Sequence, residues 1–302
     1  MIKAPPTPKG FRDIPPELAK RRGEVIGKIA DTLEELGYSP MDTPTIEFSD
    51  TLLGKYGEDA DRLIYKFKDR GGRDLALRYD LTVPLARFIA TNPDLVVRGP
   101  FRRYQTGQVL RGENPQKGRW REFTQFDIDS VGSSDLIEDA KIISAVLTCC
   151  KKLGLKGAKM QINDRKNFEG LSPTSVRTLD KLDKIGEEGV IDELSKVVGS
   201  AEKAKSILKD MQNKKPTKDL EEIMTALSDL GIEEKEYIFN PLLARGLDYY
   251  TGSIFELILP EYGNLSLGGG GRYDNLIGSF AKENIPAVGF SFGLDRLLEI
   301  VK

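Results

Sequence analysis

The apolar residues Leu18, Val25, Ile29, Leu33 and Leu36 recur at helical spacing, with Arg22 on the same stripe. Pro15 and Pro16 precede the run and Gly37 follows it, which predicts a long amphipathic helix at the start of the chain. The stretch YSPMDTPTIE then reads as a turn and a short extended segment, because Pro40 and Pro44 bar a helix. Asp80 is placed to cap a short helix, LTVPLARFIA, whose Pro84 falls in the tolerated first turn. Two strand patterns follow, YQTGQVLR and REFTQFDIDSV, joined by GENPQKGRW as a hairpin with a long loop. DLIEDAKIISAVLTCCKKL reads as a helix ended by Gly154, and AKMQIND as a short strand.

From about Ser172 to Gly231 the pattern becomes wholly helical, with runs such as IDELSKVV and LEEIMTALSDL. This predicts a small helical insertion over residues 171–236, dividing a core of residues 1–170 from its second part, 237–302. Strand texture returns in SIFELILP, a glycine cluster LGGGGRYDNL follows, and PAVGFSF runs directly into GLDRLLEIVK. Strand pairs alternating with flanking helices predict an α+β fold around an antiparallel sheet.

Composition narrows the chemistry. The chain has 302 residues, 39% apolar and 30% charged, as expected of a well-cored protein. It shows no apolar run of about 20 residues and no signal-peptide pattern at its start, so a cytoplasmic location without membrane contact is expected. Cys149 and Cys150 are adjacent within a helical pattern, which suits core packing rather than a disulfide or a metal site. There is no histidine, which excludes an imidazole base, a Ser-His-Asp triad and any zinc site built on histidine. The net charge of −2 gives no sign of a polyanion partner, yet Arg98 to Arg121 holds six arginines and Lys117 against one acid, Glu113. That stretch is either a solvated basic patch or an anion-binding loop.

In REFTQFDIDSV a period of two puts Phe123, Gln125, Asp127 and Asp129 on one face and Thr124, Phe126, Ile128 and Ser130 on the other. The first face either lies in open water or lines a pocket for a cationic amine and a hydrogen-bonding ring. Arg111 ends one strand and Arg119 and Arg121 begin the next, so three guanidiniums flank the loop, suited to phosphate oxygens. Arg296 falls in the first turn of the last helix, beside Gly289 and Gly293, which permit a close approach.

Taken in order, KGFRDIPP, PMDTPTIE, LRYDLTVPLARF, VLRGENPQKGRWREFTQFDIDSVG, ARGLDYYTGSIFE, GGGGRYDNL and PAVGFSFGLDRLLEI resemble the catalytic domain of the histidyl-tRNA synthetases. These are class II aminoacyl-tRNA synthetases. The resemblance runs from about Lys9 to the end and implies the class II antiparallel sheet flanked by helices. It implies ATP-dependent activation of L-histidine to histidyl-adenylate and transfer to the acceptor end of tRNA(His), with Mg²⁺ expected beside ATP. Arg245 and Arg111 would be the catalytic cations, with Arg245 on the α-phosphate and the amino-acid carboxylate. Asp80, Thr82 and Gln125 would hold the α-amino group, and Asp129 and Tyr250, with Tyr249 beside them, the imidazole. Glu113 and Arg119 would join Arg111, Phe123 and Arg296 in the ATP site, with adenine between Phe123 and Arg296. Gln116 and Lys117 would touch the tRNA acceptor end, and the first helix with the Pro44 region would form a homodimer.

Family members usually continue into an anticodon-binding domain beyond the point where this chain stops, so weakened tRNA charging is expected. Paralogues of this domain instead serve as histidine-binding regulatory subunits of ATP phosphoribosyltransferase. The residues matching an ATP site favour the synthetase.

Overall fold

The first helix, α1 (Pro16–Glu35), shows how closely local chemistry sets the boundaries. Pro16 occupies its first position, and Gly37, at φ 85°, closes it. The Gly37 amide donates to Glu34 O at 3.0 Å and the Tyr38 amide to Leu33 O at 2.9 Å, the paired bonds of a Schellman end. Val25, Ile29 and Leu33 are buried, while Leu36 lies past the last helical turn and is exposed. The structure, a computed structural model, describes residues 5–115, 120–245, 249–263 and 265–301.

The strands in chain order are β1 (Ser39–Pro40), β2 (Ile46–Phe48), β3 (Lys66–Lys68), β4 (Asp74–Leu77), β5 (Phe101–Leu110) and β6 (Glu122–Val131). They continue as β7 (Lys159–Asp164), β8 (Tyr237–Phe239), β9 (Ser253–Leu259), β10 (Leu265–Arg272) and β11 (Ala287–Gly293). Eight of them form one sheet in the order β1-β5-β6-β11-β10-β9-β7-β8, antiparallel except for the two edge pairs. β5 and β6 pair in register along their whole length, from Phe101 opposite Val131 to Leu110 opposite Glu122. A separate three-stranded sheet has the order β2-β4-β3.

The helices after α1 are α2 (Ser49–Leu52), α3 (Glu58–Asp61), α4 (Thr82–Thr91) and α5 (Ile137–Lys152). Then come α6 (Pro173–Leu179), α7 (Leu182–Val198, broken at Gly186), α8 (Ala201–Gln212), α9 (Lys218–Asp229) and α10 (Leu294–Ile300). Between β7 and β8 the regular structure is entirely helical, as LEEIMTALSDL and its neighbours suggest.

The two faces of the large sheet meet different partners. Phe126 and Ile128 of β6, Phe255 and Leu257 of β9 and Phe292 of β11 are buried in one core with α1, α5, α9 and α10. Cys149 and Cys150 are free thiols in this core, and burial pushes both thiols up, Cys149 to about 12. A second core packs α4 and helices α6 to α8 with the segments around Tyr250 and Tyr273. The alternation in β6 therefore separates an apolar back from a polar front, and the front is covered rather than open to water.

β10 carries Gly268 to Gly271 in the middle of the sheet, a composition that ordinarily weakens a strand. Their missing side chains are required: a Cβ on Gly268 would strike the Ser291 carbonyl and the Phe290 ring, and one on Gly270 the Gly289 carbonyl. The glycines clear the sheet surface for whatever lies in front of it.

Candidate active site

In front of the sheet lies a cleft of about 420 Å³, within the range of small-molecule sites. One end is acidic and aromatic, lined by Asp80, Asp127, Asp129, Tyr249, Tyr250 and Tyr273. The other end holds Arg111, Glu113, Phe123 and Arg296. Arg245 lines the same cleft, facing the Gly268–Gly270 surface.

Arg245 is placed by the short segment after β8. The buried Asn163 of β7 donates through Nδ2 to the carbonyls of Pro241 and Leu243, both at 3.0 Å, which fixes the approach to Ala244 and Arg245. Arg245 Nη1 then donates to Glu256 Oε1 of β9 at 3.2 Å, while its buried Nε meets no hydrogen-bond partner among the described residues. Across the cleft, a Cβ on Gly269 would fall on the guanidinium, so glycine there is what lets the arginine lie against the sheet. The Gly246, Leu247 and Asp248 that follow in RGLDYYTG lie outside the described residues.

At the acidic end the carboxylates differ in how they are satisfied. Asp80 sits two residues before α4 and accepts the Val83 amide at 3.0 Å, capping the helix as the sequence predicts. It also accepts the hydroxyls of Tyr56 at 2.9 Å and Tyr249 at 3.3 Å. Burial raises the Asp80 carboxyl against these donors, which lower it. Asp129 forms an ion pair at 2.8 Å with Arg103, a fully buried side chain of β5, and accepts the Tyr273 hydroxyl. Burial raises the Asp129 carboxyl, and Arg103 opposes that. Gln125 donates through Nε2 to Ser291 Oγ at 2.8 Å, leaving its Oε1 buried and unpartnered among the described residues. Thr82 opens α4 and lines the cleft beside Asp80.

The cationic end is built from the hairpin and from α10. The Arg111 guanidinium lies 4.2 Å from the Tyr79 ring centroid and 5.1 Å from that of Phe123, and its Nε donates to Tyr79 O at 3.1 Å. Such stacking holds the fork flat without using most of its donors. Arg296 Nη1 donates to Ser266 O at 2.8 Å. Its neighbour Asp295 takes Arg12 at 2.6 Å and the Thr124 amide at 3.0 Å, tying the N-terminal segment and β6 to the last helix.

The structure brings together Asp80, Thr82, Arg111, Glu113, Phe123, Gln125, Asp129, Arg245, Tyr249, Tyr250 and Arg296 around one cleft. Gln116, Lys117 and Arg119 lie outside the described residues. One expectation needs correction. Arg121 does not face an anion site: its Nε donates to Glu113 O at 2.9 Å and its stem packs against Gly10, so it fastens the loop base to the N-terminal segment. Gly289, which lines the cleft, allows a close approach as expected: a Cβ there would strike the Asp129 carboxylate and the Ile128 carbonyl.

Sequence reasoning missed Tyr79, Tyr273, Arg103 and Glu256, and gave Asp127 a place on the face but no role. The alternation that selected Gln125 and Asp129 also puts Asp127 on their face. Nothing in the pattern marks Arg103, whose role depends on a neighbouring strand.

An antiparallel sheet of this order, with an arginine-bearing hairpin and a final strand running into an arginine-bearing helix over one cleft, is the class II aminoacyl-tRNA synthetase fold. The family model described as histidyl-tRNA synthetase matches residues 10–176 and 171–297. Histidine–tRNA ligase of Aeropyrum pernix is 41% identical, over 98% of this chain and 74% of that protein. The crystal structure of histidyl-tRNA synthetase from Nostoc superposes with a TM-score of 0.83 at 29% identity, covering 99% of this chain and 75% of that one. A Bacillus halodurans structure described as an ATP phosphoribosyltransferase regulatory subunit/histidyl-tRNA synthetase shares the fold, with a TM-score of 0.83 at 23% identity, over 98% of this chain and 83% of that one. The chain belongs to the histidyl-tRNA synthetase family.

Proposed function

We infer that this chain is a histidine–tRNA ligase, activating L-histidine with ATP to histidyl-adenylate and transferring the histidyl group to the 3′ end of tRNA(His). The observation that carries the reading is the position of Arg245, held against Gly269 in a cleft that is acidic at one end and cationic at the other. A substrate with an ammonium group suits the first end, a polyphosphate the second, and their reacting atoms meet between.

In this reading the α-amino group lies towards Asp80, Thr82 and Gln125, and the imidazole towards Asp129, Tyr249 and Tyr250. ATP lies along Arg111, Glu113, Phe123 and Arg296, with adenine between Phe123 and Arg296. Mg²⁺ accompanies the ATP phosphates, whose oxygens are the ligands it prefers. The carboxylate attacks the α-phosphorus and pyrophosphate leaves. Arg245 and Arg111 stabilise the charge that builds on the phosphoryl oxygens, and no proton-transfer base is required. Arg119 belongs with the outer phosphates of ATP, and the acceptor end of the tRNA approaches by Gln116 and Lys117.

Homodimerisation through α1 and the Pro44 region is supported by exposed Ile46 and Phe48 on β2, 45% and 56% accessible. Residues 171–236 act as the insertion between the two parts of the catalytic core. The setting is cytoplasmic; among the described residues no helix is long and apolar enough to cross a membrane.

The test is histidine-dependent exchange of pyrophosphate into ATP, with the other amino acids as controls. Exchange with histidine alone is expected, and Arg245→Ala is expected to abolish it while leaving the circular dichroism spectrum unchanged. Histidine binding without exchange would instead indicate a regulatory subunit, for which the cationic end would have no purpose. Normal exchange by Arg245→Ala would refute its catalytic role.

A further inference from the structure

Three carboxylates face the acidic end of the cleft, and two are already engaged. Asp80 has the Tyr56 hydroxyl, the Tyr249 hydroxyl and the Val83 amide; Asp129 has Arg103 and the Tyr273 hydroxyl. Asp127 is only 2% exposed, yet its Oδ1 meets no hydrogen-bond donor among the described residues. Its neighbours in register across the sheet are Gln105 on β5 and Ser291 on β11. The Gln105 amide is used elsewhere, donating to Thr43 Oγ1 at 3.0 Å and accepting from Arg103 at 3.3 Å. The Ser291 hydroxyl is a hydrogen-bonding neighbour of Asp127.

Two positions along the same strand face, Gln125 Oε1 is another buried acceptor with no hydrogen-bond partner among the described residues. A buried acceptor left unmade costs about 1–3 kcal/mol, and more when charged, so two side by side in a ligand cleft call for a ligand with several donors and positive charge. We propose that Asp127, together with Gln125, binds the α-ammonium group of the amino-acid substrate and is its counter-ion. The proposal rests on the histidine-activating reading above and adds a substrate-touching residue to it.

The surroundings suit a carboxylate that waits for a cation. Asp129 on the same strand and Asp80 from the segment before α4 repel its charge, and Arg103 attracts it. Among the described residues, Arg78, before α4, and the Tyr250 and Tyr273 hydroxyls are further titratable groups within reach of its charge. Burial, with the Asp129 charge, pushes the carboxyl up, so an arriving ammonium finds an acceptor that gains a partner rather than exchanging one.

The test compares two alcohols that differ only in the ammonium group, histidinol and its des-amino counterpart imidazolylpropanol, as inhibitors of histidine-dependent pyrophosphate exchange. In the wild type histidinol should bind more tightly. Asp127→Asn keeps the size and removes the charge; it should weaken histidinol and raise the KM for histidine by about 10- to 100-fold, with imidazolylpropanol and the KM for ATP unchanged. Asp127→Ser provides a second variant should the amide fold poorly. If both alcohols weaken alike, or neither does, the proposal is overturned while the functional reading stands. Failure of the wild type to use histidine at all would instead sink that reading and the proposal with it.

Discussion

Replacing Gly269 by alanine is the sharpest probe of how the sheet positions the catalytic arginine. A Cβ at this position would lie 2.6 Å from Arg245 Nη2 and closer still to Cζ and Nη1. Restoring ordinary contact requires the guanidinium to retreat by roughly 1 Å, a displacement that can cost about 100-fold in rate when the group must meet a developing charge. The obstructed atoms are the tip of a flexible side chain, so the cost to folding should stay near 1 kcal/mol. The neighbouring substitution Gly270→Ala differs in kind, because its Cβ would meet Phe290 Cα at 2.7 Å and Gly289 C at 2.9 Å, both backbone. That collision should cost about 3 kcal/mol or more. Pyrophosphate exchange and urea denaturation of both variants decide the matter. Gly269→Ala should be folded and slow, Gly270→Ala unstable. Exchange at the wild-type rate by Gly269→Ala would refute the idea that the glycine surface holds Arg245 in place.

Two further predictions concern charges behind the site. Arg272 is buried and donates to Asp139, Asp274 and the carbonyls of Ser133 and Asp135, so Arg272→Met strands the fully buried Asp139 and should lower stability by roughly 3–5 kcal/mol; a loss below about 1 kcal/mol in urea denaturation would contradict the buried-pair argument. Burial raises the Glu138 carboxyl, but hydrogen bonds from Arg102, Ser130 and Lys141 outweigh it and hold the group down at about 2. A carboxyl lowered on folding contributes stability that is complete above its unfolded value and lost as pH falls towards 2. Glu138→Gln should therefore flatten the stability profile between pH 4.5 and 2, and an unchanged slope would show that the group carries no such linkage.

The sequence by itself determined the principal elements, though not β3, β4 and β8, and named many of the residues that line the cleft. The stripe of α1, its proline start and its glycine end are local physics, and the structure keeps each of them. The period of two in β6 separated Phe126 and Ile128 from Gln125 and Asp129 before any partner strand was known, because alternation is a property of extended backbone. The order of motifs carried the family, since each lies within one or two adjacent elements.

Only the tertiary structure decided whether the polar face of β6 was wet or enclosed, because α4 and the segments around Tyr250 and Tyr273 that cover it come from distant parts of the chain. It also separated the arginines. Arg111 stacks between two rings, Arg121 holds a loop carbonyl, and Arg103 neutralises a carboxylate with no exposure at all. All three are the same residue type in one basic stretch, and what distinguishes them is the strand or segment lying opposite. The glycines of β10 make the same point: their composition weakens a strand in isolation, and they are required only because Arg245, Gly289 and Ser253 press on the surface they leave bare.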